Sequence, residues 1–235
     1  MKENKRSVTI KQILITLLII FLITFLIHVV RNMIIIKTLA NKANEMQNVN
    51  NYHISVRMHS DENFTVTDIW FKDGKYLENL YMTSYDEENN KAGEDKVAIT
   101  YYDGKSDFNS TFYKNTKEVV NQNMSENESI KVPMIQLSGM GTVKFYSKDF
   151  LTLLRSSILM KISSEKSFDK DCYRMRFMTD PSNVALYVDK ETGLTIRNCG
   201  VIEDNNLVRY SYSDFKYDIN NVTDDNLNFE KIIEK

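Results

Sequence analysis

The stretch Ile13–Val30, reading ILITLLIIFLITFLIHVV, constrains this chain more than any other. It carries no formal charge, and only Thr16, Thr24 and His28 interrupt the apolar run. At the helical rise per residue, a run of about 18 or more such residues matches the hydrocarbon thickness of a bilayer. After Arg31 and Asn32 the run resumes as Met33-Ile34-Ile35-Ile36, so a transmembrane helix is expected over 12–36. A cleaved signal peptide has a shorter apolar region, about 7–15 residues, followed by small residues. Thr38-Leu39-Ala40 matches such a site weakly, which favours an uncleaved signal anchor. Lys2, Lys5, Arg6 and Lys11 precede the span, and Arg31, Lys37 and Lys42 follow it. That is a slight positive-inside preference, and a short tail is easily left behind while a long C-terminal part is exported. The expected layout is a cytoplasmic tail 1–11, the anchor 12–36 and an extracytoplasmic domain 37–235, a single-pass protein of the cell membrane.

Charge then limits the partners. Of 30 Lys and Arg and 32 Asp and Glu, seven basic and two acidic residues fall in 1–46. That leaves 23 basic and 30 acidic residues beyond, a net of −7. An acidic domain is a poor nucleic-acid binder, because phosphate contacts supply most of that affinity. Anionic headgroups also repel it, so the domain is expected to stand off the membrane surface. The wealth of Asn, Lys and Ile fits an AT-rich genome of the low-GC Gram-positive type.

Beyond the anchor the periodicity gives the elements. Ile35, Leu39, Ala43 and Met46 recur at helical spacing, which reads as a stalk docking onto the domain or as a helix continuing in solvent. From Tyr52 to Met58 the period changes to two, the mark of a half-buried strand. Strands are expected at Phe64–Phe71 and Lys75–Thr83 around an Asp73-Gly74 turn, and at Val97–Tyr102 and Phe108–Tyr113 around Asp103-Gly104. Residues 114–145 read as irregular. Ser147 is placed to cap a helix whose apolar face is Phe150, Leu151, Leu154, Ile158 and Ile162. Strands follow at Tyr173–Phe177, Val184–Val188, Leu194–Cys199 and Leu207–Lys216. The order helix, strands, helix, strands predicts an α+β fold, a curved antiparallel sheet with helices against its concave face.

Catalytic chemistry is hard to assemble. His28 lies in the span, while His53 and His59 stand about 20 Å apart along one strand and cannot share a metal ion. Most carboxylates sit in turns, where turn chemistry accounts for them. P-loop, GxSxG and HExxH motifs are lacking. A simple meander puts Cys172 near Lys190 and Cys199 near Ser182, at opposite ends of a sheet, so a disulfide would need a bulge or a different strand order. The sequence therefore points to a non-enzymatic protein without metal or cofactor.

Three local features resemble the LolA/LolB/LppX-like superfamily, envelope proteins built as an incomplete β-barrel closed by helices. They are the helix ending in Asn50-Asn51-Tyr52, the strand–turn–strand Leu186-Tyr187-Val188-Asp189-Lys190-Glu191-Thr192-Gly193-Leu194-Thr195-Ile196-Arg197, and a closing strand ending in Phe215-Lys216-Tyr217-Asp218. The resemblance covers roughly 35–235 in element order. It implies a concave face that binds a lipid or lipoprotein-like ligand, lined here by Tyr52, Ile54, Val56, Leu151, Leu154, Ile158, Tyr210 and Tyr212. Alternatively it implies a scaffold for an envelope protein, as in the germination lipoprotein GerS, which partners a cortex-modifying amidase. A retained membrane helix departs from the carrier members, since a tethered protein cannot shuttle its cargo.

Overall fold

The structure, a computed structural model, describes residues 3–46, 49–59, 63–86, 91–92, 95–106, 108–123, 141–179, 184–204 and 207–234. The apolar run and the stalk form one uninterrupted helix, α1 (Glu3–Met46). Its large apolar residues from Ile10 to Ile27 are exposed, most of them by half or more. Burial begins at Val29 and continues through Asn32, Ile35, Ile36, Leu39, Ala40 and Ala43. Those positions recur at three- and four-residue intervals, so they form one stripe along the helix, and that stripe docks onto the sheet.

The sheet comprises β1 (Asn51–His59), β2 (Asn63–Lys72), β3 (Lys75–Asp86), β4 (Lys91–Ala92), β5 (Asp95–Tyr102), β6 (Phe108–Tyr113) and β7 (Glu118–Asn123). Helices α2 (Gly141–Ser147) and α3 (Phe150–Leu159) follow. Strands β8 (Met160–Ser167), β9 (Lys170–Phe177), β10 (Ala185–Asp189), β11 (Thr195–Asp204) and β12 (Leu207–Ile219) complete it. A 3₁₀ turn (Asp224–Leu227) and α4 (Phe229–Ile233) end the described chain. The spatial order is β7-β6-β5-β3-β2-β1-β12-β11-β10-β9-β8, with β4 beside β3 and every pair antiparallel. Two meanders are thus joined where the first strand lies against the last, with Tyr52 opposite Ile219. The edges β7 and β8 do not pair with one another, so this α+β sheet stays open.

One sheet face carries α1. Ile35, Ile36, Leu39 and Ala40 pack with Val143, Leu153, Met160, Ile162, Met175, Leu186 and Val188, and Ala43 with Tyr52, Ile54, Ile69, Phe71, Tyr76 and Leu194. The opposite face holds a third cluster of Leu77, Ile99, Val222 and Leu227, flanked by Trp70, Tyr101, Phe112, Phe229, Ile232 and Ile233. The alternation of Tyr76 and Leu77 between the two faces is the period-two rule at work.

Two close contacts lock α1 in place. In the turn Asp189–Gly193, Gly193 has φ +72°, and a Cβ there would lie 2.3 Å from the Leu39 carbonyl oxygen. Only glycine lets this turn touch the helix backbone. The Asp189 carboxylate, 3% exposed, ties the turn by accepting from the Glu191 amide at 3.0 Å, the Thr192 hydroxyl at 2.9 Å and Lys170 Nζ at 3.1 Å. At the other end, buried Asn32 donates through Nδ2 to the carbonyls of Ser157 (3.0 Å) and Met160 (2.8 Å). It thereby serves the carbonyls that the end of α3 leaves without helical partners.

Some expected elements differ. The helix expected to run to Ile162 ends at Leu159, and Ile162 is in β8, because Lys161–Ser167 alternates and pairs along β9. Asp149, not Ser147, caps α3 by accepting from the Thr152 amide at 2.8 Å. Ser147 instead closes α2, its hydroxyl donating to the Val143 and Lys144 carbonyls. The stretch 114–145 contains strand β7 and most of α2, while 124–140 lies outside the described residues. So do Asp180–Asn183, where Asp-Pro-Ser-Asn between the strands Tyr173–Phe177 and Val184–Val188 reads as a turn. The Asp73-Gly74 hairpin is as expected, with φ +49° and +84° and Lys72 opposite Lys75.

Gly193→Ala combines a backbone clash with a positive φ, and destabilisation by about 3 kcal/mol is expected. Asn32→Leu, which keeps the volume but strips two buried carbonyls of their donor, should cost about 2–3 kcal/mol. Denaturant titration of the detergent-solubilised chain measures both.

Candidate functional site

The residues expected to line a groove are dispersed. Tyr52 and Ile54 are 3% and 1% exposed, inside the cluster capped by Ala43, with Val56 half-buried beside them. Leu154 and Ile158 are half-buried on α3, and Leu151 is 75% exposed. Tyr212 stands at the surface with its ring 4.9 Å from that of His59. The side chain of Tyr210 lies outside the described residues. Large side chains fill the space between α1 and the sheet, where Ile36, Leu39, Met160, Met175 and Val188 are all 1% exposed or less.

A cavity of about 620 Å³ instead opens on the other face, lined by Ala98, Ile99, Phe112, Lys114, Lys117, Ile232, Ile233 and Glu234. Its floor comes from β5 and β6, paired with Ile99 opposite Phe112. Its wall is α4, and several contacts fix that helix. Asn51 grips the chain ahead of it, donating to the Val222 carbonyl at 3.1 Å and accepting from the Val222 amide at 2.9 Å. Asn228 caps it by accepting from the Lys231 amide at 3.1 Å, and Phe229 stacks on Tyr101 with ring centroids 5.4 Å apart. The rim comes from the β6–β7 turn, where Lys117 takes φ +57° and its amide donates to the Tyr113 carbonyl at 2.9 Å. The turn sets Lys114 and Lys117 beside an aliphatic floor. An apolar hollow of this size with a few polar groups at its edge is the usual form of a small-molecule site, and two ammonium groups against the one carboxylate of Glu234 leave a net positive edge that suits an amphiphile with an anionic head.

A second cavity, of about 370 Å³, lies between α2, α3 and the end of β9. A third, of about 270 Å³, is polar and lined by Lys161, Ser163, Glu165, Arg174 and Arg176. No periodicity in the chain marks the first cavity. Its wall, Phe229–Ile233, is too short for helical periodicity to register.

Groups with chemical potential are occupied structurally. The His53 ring stacks on Trp70 with centroids 4.6 Å apart, and its Nε2 is 3.4 Å from Asp68. Among the described residues, no group of three or more His, Cys, Asp and Glu is placed to hold a metal ion. Both cysteines are free. Cys172 lies opposite Asp189 at one end of β10 and Cys199 opposite Ala185 at the other, the separation that the meander predicts. Burial, with the Asp189 carboxylate beside it, pushes the Cys172 thiol up, so it is a poor nucleophile.

No family model matches the chain, and no curated protein matches it. Among solved structures it is similar to MucB in complex with MucA(peri), at 11% identity and a TM-score of 0.35 over 77% of this chain and 54% of that one. The chain thus spans about half the length of that structure. It is also similar to a DUF1329 family protein from Desulfovibrio piger, at 8% identity and a TM-score of 0.26 over 82% and 95%. A LolA superfamily protein, NE2245 from Nitrosomonas europaea, matches at 10% identity and a TM-score of 0.26 over 83% and 98%. At these scores the likeness is one of general architecture.

Thiol labelling of the native chain followed by mass spectrometry should modify half-buried Cys199 well before Cys172. Oxidation should leave the monomer without a bond between them. Equal labelling rates, or a Cys172–Cys199 crosslink, would contradict the register of β9, β10 and β11.

Proposed function

We propose that the chain is a single-pass membrane protein whose domain is a non-enzymatic, extracytoplasmic binding module for an amphiphilic ligand. The exposed apolar surface from Ile10 to Ile27 supports the anchor. Because burial against the domain starts at Val29, the bilayer-spanning part is proposed as about residues 10–28, and the rest of α1 belongs to the domain. The observation that carries the binding function is the cavity between β5, β6 and α4, with an aliphatic and aromatic floor and Lys114 and Lys117 at its rim. The filled interface beneath α1 argues for this location over the sheet face that the LolA resemblance implies.

A second reading has its own support. Among the described residues strand β7 ends the sheet, all six of its residues are exposed, and Val119 and Val120 are 48% and 38% exposed. An open edge of this kind is a template for adding a strand from a partner, which suits a scaffold for an envelope protein.

Native mass spectrometry of the full chain released from membrane extract should show a bound mass of lipid size. Ile232→Glu places a charge in the cavity wall and should abolish that mass without loss of folding. A wild-type chain that flies bare and retains a second protein would favour the scaffold. A bound mass unchanged in the variant would place the ligand elsewhere.

A further inference from the structure

The second cavity, between α2, α3 and the end of β9, sits at a special height along α1. Ile10–Ile27 spans about 27 Å as a helix, close to one hydrocarbon core. Asn32 lies five residues on, about 7 Å further, and each headgroup layer is about 5–8 Å deep. Asn32 Nδ2 holds the carbonyls of Ser157 and Met160, and the Met178 amide donates to the Leu159 carbonyl at 2.9 Å. The end of α3 and the end of β9 therefore stand at headgroup level. Ser156, Leu159, Phe177 and Thr179, which line the cavity, are their immediate neighbours.

The chemistry of this surface differs from the rest of the domain. Between 141 and 162 there are four basic residues, Lys144, Lys148, Arg155 and Lys161, and one acid, Asp149, whereas the chain beyond position 46 carries net −7. Phe145, Phe150 and Leu151 are 57%, 65% and 75% exposed. Lys148 Nζ lies 4.9 Å over the Phe145 ring, and Lys148 and Arg155 both line the cavity. Exposed apolar side chains interleaved with cations, held at the level of the headgroups, are what an interfacial membrane contact requires. The domain-wide net charge of −7 conceals this local reversal of sign.

We propose that the α2–α3 surface docks on the bilayer beside α1, with Phe150 and Leu151 entering the interface and the Phe145–Lys148–Arg155 cavity taking the phosphate headgroup of an anionic lipid. This rests on α1 being the membrane anchor. The contact is a second hold on the membrane, distinct from the cavity at β5, β6 and α4.

The test uses the full chain in nanodiscs, in a Cys199→Ser background that leaves Cys172 buried. An environment-sensitive fluorophore is placed at Leu151→Cys, and in a separate protein at Lys105→Cys in the β5–β6 turn, at the far end of the sheet. In discs containing phosphatidylglycerol the label at 151 should shift to the blue and be quenched by headgroup-labelled lipid, while the label at 105 should report water. The double variant Lys148→Glu/Arg155→Glu, or discs of phosphatidylcholine alone, should lower the docked-to-undocked ratio by roughly fivefold for each favourable charge lost. A label at 151 that behaves like that at 105 overturns the docking. Docking that is equal in phosphatidylcholine or in the charge-reversed variant overturns the anionic-headgroup assignment. A chain that carbonate removes from the discs altogether fails the anchor reading instead, and the two failures are thereby told apart.

Discussion

The direct contact of α1 with the Asp189–Gly193 turn organises everything around it. A helix normally stands off a sheet by the width of its side chains. Here the missing Cβ at Gly193 lets the Leu39–Ala43 backbone come to the turn itself. That approach sets the depth at which Ile36, Leu39 and Ala40 enter the core. One end of the docked stripe is then clasped by this turn and the other by Asn32 at the end of α3. Between them α1 bridges the β8–β11 meander and the β1–β5 meander, which share one covalent crossing and the β1–β12 pair. A chain of this sequence without its N-terminal helix would expose both clusters that α1 covers.

The two faces of the sheet divide the roles. Directly beneath α1 the face is close-packed, and the cavity on this side lies beyond it, between α2, α3 and the end of β9. Among the described residues, the other face is covered by the short C-terminal segment after β12, and that partial cover leaves the cavity under Ile232 and Ile233. Of the strongly buried groups that look reactive, Asp189 belongs to the turn that receives α1 and serves its geometry, and Cys172 lies opposite it on β9.

Strands with clear alternation and Asp-Gly turns were legible, and Phe108–Tyr113 is found where the alternation puts it. The helical spacing of Ile35, Leu39 and Ala43 allows both a docked stalk and a helix continuing in solvent, and their burial decides for docking. Two kinds of element were not legible. Strand β7 has no buried side to imprint a pattern, since all six residues from Glu118 to Asn123 face solvent. The end of α3 was misplaced because Ile158 and Ile162 fit a helical period as well as they fit a helix followed by a strand. Hydrogen bonding along β9 decides the matter, and it is a non-local fact. The site itself was harder still. Groove-lining residues such as Tyr52 and Ile54 and core residues look alike in sequence, and burial against α1 makes these two core.

The continuity of α1 has a mechanical corollary. No flexible joint separates the exposed apolar turns from those that the sheet grips, so rotation and height are transmitted along the helix without loss. Each residue advances the helix by about 100° and about 1.5 Å. Adding or removing a single residue between Ile27 and Asn32 would swing the whole sheet around the helix axis by more than a quarter turn. The length of that short segment therefore acts as an angular setting, one that fixes which side of the domain faces along the surface and which faces away.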